Sequence, residues 1–282
     1  MYGLGVAIAL YQQQPFQPSI FVCGQIVVTA IQLMTHYAND YFDLEADQAN
    51  HHRTHWSGGS GVLVAQILRP RIALVAALFF GMVAVCGTVV LMFVLHTGAL
   101  TLPLILTSLL LAWFYSAPPI RLHSTGLGEA SVALIVPILV PLLGYYLQSG
   151  ALSMLPLVAA LPLAFFQFAM LLVIEFPDAK SDATVGKRTL VVRLGEQKAV
   201  ILHNIVLILA YALLPLLMWA GLAHQVALVI LMGLPLAARQ FWRMARGAWP
   251  NPANWNSLGF SAIALLMSTA LFELLVFIGL AG

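Results

Sequence analysis

Asn39, Asp43 and Asp47 recur at four-residue intervals within HYANDYFDLEAD, residues 36–47, and Asp178 and Asp182 repeat the interval within EFPDAKSDATVGKRT, residues 175–189. On a helix this spacing puts each set of side chains on one face, one turn above the next. Like charges so placed repel by about 0.2–0.5 kcal/mol per pair on an exposed helix, and drawing the two sets together in a low dielectric costs more. A cation therefore belongs between them. Hard divalent cations take carboxylate oxygens, and Mg²⁺ in particular is held by one or two carboxylates plus phosphate oxygens while keeping several waters. Lys180, Lys187 and Arg188 flank the second set, and acids mixed with cations in this way point to a metal-bridged diphosphate.

Both sets sit at the ends of apolar runs. The chain is 61 % hydrophobic and only 8 % charged over 282 residues, with a mean hydropathy of +0.95. Several runs exceed the roughly 20 residues needed to cross a bilayer as a helix. They are long and continuous rather than alternating, which favours helices over a β-barrel. The fold class expected is all-α, a polytopic membrane helical bundle forming a single domain over residues 1–282.

Polar breaks divide the chain into nine segments, at 1–11, 17–38, 71–95, 99–117, 126–148, 152–176, 199–220, 224–242 and 257–280,. The first, MYGLGVAIALY, is too short to span at about 1.5 Å per residue. It reads as the second half of a helix begun upstream or as a half-span. A cleaved signal peptide fits less well, because no basic region precedes the apolar core.

Net charge is only +2, but the charges are segregated. All 12 Lys and Arg fall at the even-numbered connections, and QQQPFQP, HTG, QSGA and AGLAHQ at the odd ones carry none. Nine of the 10 acids share that sidedness, Glu273 being the exception. The positive-inside rule then places the charged loops in the cytoplasm, as expected for an integral protein of a bacterial inner membrane with its active site facing inward. Cys23 and Cys86 lie inside apolar runs and read as small packing residues.

NDYFDLEAD and DAKSD followed by GKRTL resemble the two aspartate-rich motifs of the UbiA superfamily of intramembrane prenyltransferases. YSAPPIRL at 115–122 and GLGE at 126–129 are similar to further signatures of that family. VGKRTLVVRLG looks most like the branch that prenylates 1,4-dihydroxy-2-naphthoate in menaquinone synthesis. Two positions depart from that branch: Gly61 stands where a basic residue is expected and Glu175 where Asn is common. The resemblance covers nearly the whole chain and implies nine helices around a lipid-open central cavity, capped by the second-to-third and sixth-to-seventh loops.

It also implies Mg²⁺ as cofactor, with a polyprenyl diphosphate, an aromatic acceptor and membrane lipid as partners. Asn39, Asp43, Asp47, Asp178 and Asp182 would bind the metal, with Asn39, Asp43, Asp178 and Asp182 catalytic in that sense. Arg53, Arg121, Lys180, Lys187 and Arg188, with Arg121 and Lys187 foremost, would contact the diphosphate as donors or point charges. Ionisation of an allylic diphosphate leaves a carbocation that water would quench, so a dry site helps. Tyr115, Tyr41 and Phe42 offer aromatic faces to it. Other branches of the superfamily use 4-hydroxybenzoate, homogentisate, haem, chlorophyllide or a glycerol-phosphate lipid as acceptor.

Other features carry less. His51, His52 and His55 in NHHRTHW lack a partner geometry for a metal and read as part of a mobile cap. GGSG at 58–61 lacks the strand-to-helix context of a phosphate loop and reads as a hinge. RQFWRMARGAW, 239–249, is basic and aromatic, but at a membrane edge it is an interfacial anchor rather than a nucleic-acid site. Glu273, inside an apolar run, is costly unless it faces the bundle. A secondary transporter is the competing class, yet transporters place charged sites near the midplane on broken helices, whereas these acids lie at helix ends.

Overall fold

The computed structural model describes residues 1–282 and contains helices and no strands. Nine apolar elements follow in order: α1 (Tyr2–Tyr11), α2 (Pro18–Phe42), α3 (Pro70–Val94), α4 (Thr101–Trp113), α5 (Gly128–Ser149), α6 (Leu155–Glu175), α7 (Glu196–Trp219), α8 (His224–Met232 and Leu234–Ala245) and α9 (Pro252–Ala281). Six of them are long and apolar enough to cross a membrane, and α8 makes a seventh if its two halves, bent by 42° at Gly233, form one span. Helices α1 and α4 are shorter, so the nine expected segments all exist as helices but are not nine equal spans.

Local sequence sets the helix limits. Pro18, Pro70 and Pro252 start α2, α3 and α9, where a missing N–H costs nothing and φ is already helical. Asn251 caps α9, its side-chain oxygen accepting from the Ala253 N–H at 3.0 Å. Gly150 ends α5 in the left-handed conformation. A π-helical turn at Ile135–Leu139 surrounds Pro137, which cannot donate into the ordinary ladder.

Short as it is, α1 is the wedge of the bundle. Tyr2, Leu4, Val6, Ala7, Ile8 and Ala9 are all buried, with α5 and α9 against it. Leu4, Ala7 and Ile8 join the core shared with α6 to α9, while Tyr2 and Val6 join the core of α2 to α5. The approach is close enough that a Cβ on Gly5 would collide with the Pro141 carbonyl and stand 2.8 Å from the Tyr145 nitrogen. The outward surface is apolar too: Phe79, Met82, Phe93 and Trp219 are exposed, the surface of an integral membrane protein whose solvent is lipid. Glu273 is 0 % exposed and faces the bundle interior, as its cost in lipid requires.

Backbone cannot yield as a flexible side chain does, so Gly5→Leu should lower the thermal midpoint in detergent, with a loss of at least about 1–3 kcal/mol. Gly279→Leu, where a Cβ would meet nothing within 4 Å, should shift stability by less than about 0.5 kcal/mol. Scanning fluorimetry of both variants checks the pair; equal midpoints would remove the close-packing argument.

Candidate active site

The first acidic set is built across a helix break. Asn39 lies in the last turn of α2, Asp43 stands just beyond it, and a short helix, Leu44–Ala49, carries Asp47. The four-residue ladder survives the break: Asp43 N–H donates to the Asn39 carbonyl at 2.8 Å and Asp47 N–H to the Asp43 carbonyl at 2.9 Å. The second set copies this plan. Asp178 follows the end of α6 and directly precedes the short helix Ala179–Thr184, and Asp182 N–H donates to the Asp178 carbonyl at 2.8 Å.

The two short helices pack together, and the acids meet on Lys187. Its Nζ lies 2.5 Å from Asp43 Oδ2 and 3.5 Å from Asp182 Oδ1. The Lys187 N–H donates to the Asp182 carbonyl at 2.9 Å, after Gly186 turns the chain at positive φ. Asn50 joins the halves a second time, Nδ2 donating to Asp178 Oδ1 at 2.7 Å. Asp43, Asp47 and Asp182 are buried at 5 %, 8 % and 3 % exposure, so repulsion among them is weakly screened.

Titration follows from that setting. Burial first, then the Asp43 charge, pushes Asp47 up to about 7, and burial pushes Asp182 up to about 7 against the opposing pull of Lys187. Asp178 is raised by burial too, against Ser57, Lys187 and Asn50. Burial alone would lower Lys187, but Asp43 and Asp182 outweigh it and hold the ammonium above its ordinary value.

The cap loops close over the acids. Ser60 N–H donates to Asp40 Oδ1 at 3.2 Å, and a Cβ on Gly59 would strike Asp47 Oδ2. Only a left-handed glycine lets the chain pass so near a carboxylate. Arg53 threads this glycine loop with one buried guanidinium nitrogen, Nη2, that has no hydrogen-bond partner, and its charge acts on Asp47. Trp56 pins the loop to α9, donating from Nε1 to the Asn256 carbonyl at 3.0 Å. The second loop is fixed by Glu129, whose Oε1 accepts from Leu190 N–H at 2.7 Å.

Other candidates lie further out. Arg121 is exposed at positive φ and reaches the Phe42 carbonyl at 3.5 Å, a cation at the C-terminal end of α2. Lys180 and Arg188 are exposed and form no ion pair; Lys180 is two residues from both acids, and side chains two apart do not share a helix face. Tyr115 rests edge-on against His123 at 5.5 Å, and burial raises its hydroxyl pKa. Tyr41 packs on Phe42, and Phe42 on Trp113. His52 packs on Trp255, and the His55 N–H binds Asn256.

Sequence reasoning overlooked Asn50, Asp40 as a loop anchor, and His123. The last is 3 % exposed, its Nε2 3.5 Å from Asp43 Oδ1, and burial pushes its pKa down to about 4. It directly follows YSAPPIRL, but nothing in its spacing links it to residue 43. An ≈ 430 Å³ cavity bordered by Gln197, Asn204 and Trp249 lies away from the acids, between α7 and α8.

The structure is thus that of a helical membrane protein that draws two acidic helix ends onto one lysine at one end of its spans. The sequence matches the UbiA prenyltransferase family over residues 1–263, and the chain belongs to that family. UbiA prenyltransferase domain-containing protein 1 of Ailuropoda melanoleuca is 28 % identical over 223 residues, 76 % of this chain and 62 % of that protein. The chain therefore spans less than two thirds of that relative. The 1,4-dihydroxy-2-naphthoate octaprenyltransferase of Escherichia coli (strain K12) is 27 % identical over 244 residues, 84 % of this chain and 77 % of that enzyme. A UbiA homolog from Archaeoglobus fulgidus bound to GPP and Mg²⁺ superposes with a TM-score of 0.63 at 13 % identity, covering 99 % of this chain and 95 % of that one; the fold is shared.

Raised carboxyl pKa values make stability depend on pH. The folded protein holds protons on Asp47 and Asp182 that the unfolded chain, with an ordinary value of 3.8, releases. The stabilisation is complete below the unfolded value and lost as pH rises through about 7. In chelator, the thermal midpoint should fall between about pH 6.5 and about pH 8, above the range in which His123, held down at about 4, acts in the opposite sense, and Asp47→Asn with Asp182→Asn should reduce that fall. A slope unchanged in the double variant would contradict the assignment.

Proposed function

We propose that this protein transfers a polyprenyl group from an allylic polyprenyl diphosphate to an aromatic acceptor, in a Mg²⁺-dependent reaction at the cytoplasmic face of a bacterial inner membrane. The observation that carries the reading is the meeting of Asp43 and Asp182, from two distant helix ends, on one partly buried cation, Lys187. The acceptor is 1,4-dihydroxy-2-naphthoate, supported by the GKRTLVVRLG stretch and by the named activity of the E. coli relative.

The residues fit a magnesium ion. Carboxylate oxygens are the hard donors it takes, and buried Asp43 Oδ1 has no hydrogen-bond partner. No three acidic, imidazole or thiol groups stand close enough to hold an ion by themselves, so phosphate and water oxygens would have to complete its shell. The A. fulgidus homolog, bound to GPP and Mg²⁺, supports the pairing. Asn39, Asp43, Asp47, Asp178 and Asp182 would hold the metal, whose charge offsets that of the departing diphosphate.

The chain's own residues do the rest. Lys187, within the acidic cluster, and Arg53, whose charge acts on Asp47, would present cations to the diphosphate; Arg121, Lys180 and Arg188, at the exposed rim, would draw it in electrostatically. Tyr115 lies within the electrostatic reach of Lys187 and Asp43 and offers its ring to the allylic cation. The loops carrying Trp56 and Leu190 keep water from it. Attack by the electron-rich acceptor ring then forms the carbon–carbon bond.

Purified protein in lipid, given a radiolabelled allylic diphosphate, a panel of aromatic acceptors and Mg²⁺, should yield a lipophilic product with the naphthoate. Chelator should abolish it, and Asp43→Ala or Asp178→Ala should cut turnover by about 10²–10³-fold, the scale of losing one preorganised electrostatic contact. Product with a different acceptor would correct the acceptor alone. No product with any acceptor would overturn the proposal.

A further inference from the structure

His123 has a place that core packing leaves unexplained. The loop after α4 carries it, the ring standing edge-on to Tyr115 and the backbone N–H donating to the Tyr115 carbonyl at 2.9 Å. A Cβ on Gly128 would come within 2.7 Å of His123 Cα, so the start of α5 presses directly on the residue. Nδ1 is 2.6 Å from the Ser124 hydroxyl. Ring plane, height and one nitrogen are thereby fixed.

The other nitrogen is aimed at the acidic cluster. Nε2 is buried without a hydrogen-bond partner, and so is Asp43 Oδ1, and the two face each other at 3.5 Å. Most buried imidazole nitrogens are satisfied by a carbonyl or a hydroxyl, whereas Nε2 of His123 has a carboxylate oxygen before it. Because a carboxylate oxygen only accepts, the hydrogen belongs on Nε2, and Nδ1 then accepts from the Ser124 hydroxyl.

Asp43 needs such a neighbour. Its Oδ2 is held by the Lys187 ammonium, but a single contact leaves the carboxylate free to turn about its Cβ–Cγ bond. A donor on the Oδ1 side, mounted on a different element, stops that rotation. We infer that His123 is a positioning residue, set by Ser124 and Tyr115, that orients the Asp43 carboxylate for the divalent cation. The inference rests on the metal-dependent reading above and adds a group from outside both aspartate-rich stretches.

Mn²⁺ binding, read by electron paramagnetic resonance on the detergent-purified full chain with inorganic pyrophosphate, tests it without turnover. His123→Phe keeps the ring against Tyr115 but removes the donor, and its Mn²⁺ affinity should fall by about 10–100-fold, the usual scale for losing a partner of a metal ligand. His123→Gln restores an N–H near Nε2 and should return affinity close to wild type, with unchanged thermal midpoints reporting that both variants fold. In turnover assays the Mg²⁺ concentration for half-activation should rise in His123→Phe while kcat at saturating metal stays near wild type. Wild-type affinity in His123→Phe would overturn the role, as would equal weakening in His123→Gln. A wild-type protein that binds no Mn²⁺ would instead overturn the metal-dependent function and this inference with it.

Discussion

Acidic side chains from two helix ends far apart in the chain are buried together at one end of an apolar bundle, and the electrostatic cost of that arrangement organises the surrounding structure. Two unit charges 4 Å apart interact by about 4 kcal/mol at an effective dielectric of 20, against about 1 kcal/mol in water. Lys187 offsets the repulsion by lying against Asp43 and Asp182, and Asn50 offsets more by donating to Asp178. Protonation of Asp47 and Asp182 near neutral pH relieves what remains. A cluster so close to electrostatic balance responds strongly to any added cation or anion.

The apolar bundle keeps that cluster in place. With α1 wedged between its halves, α2 and α6 are held so that their ends deliver Asp43 and Asp178 to the same level. Each cap loop is then fastened by polar contacts rather than by a core of its own: Ser60 to Asp40, Trp56 to Asn256, Leu190 to Glu129. Segments held by a few such bonds open at lower free energy than packed helices do. Opening of the loops therefore need not disturb the spans beneath them.

Division of labour among the cations follows from their surroundings. Lys187 and Arg53 are both partly buried, and charge-assisted contacts are strongest where water is partly excluded. Arg121, Lys180 and Arg188 stand in solvent, where screening confines them to attraction at longer range.

The sequence by itself determined the helical class, the membrane setting, the shared sidedness of the charges and the two acidic stacks. Each of these is a local property: apolar runs, loop composition and the four-residue spacing of Asp43 with Asp47 and Asp178 with Asp182 need no knowledge of distant neighbours. Tertiary structure decided which of five candidate cations reaches the acids, that Asn50 ties to Asp178 across 128 residues, and that Lys187 ties to Asp43 across 144. It also decided that α4 is short, that α8 bends, and that His123 faces Asp43. Those outcomes depend on how helices pack and how loops fold back over them, and side-chain periodicity along one segment holds no record of the segment it will meet.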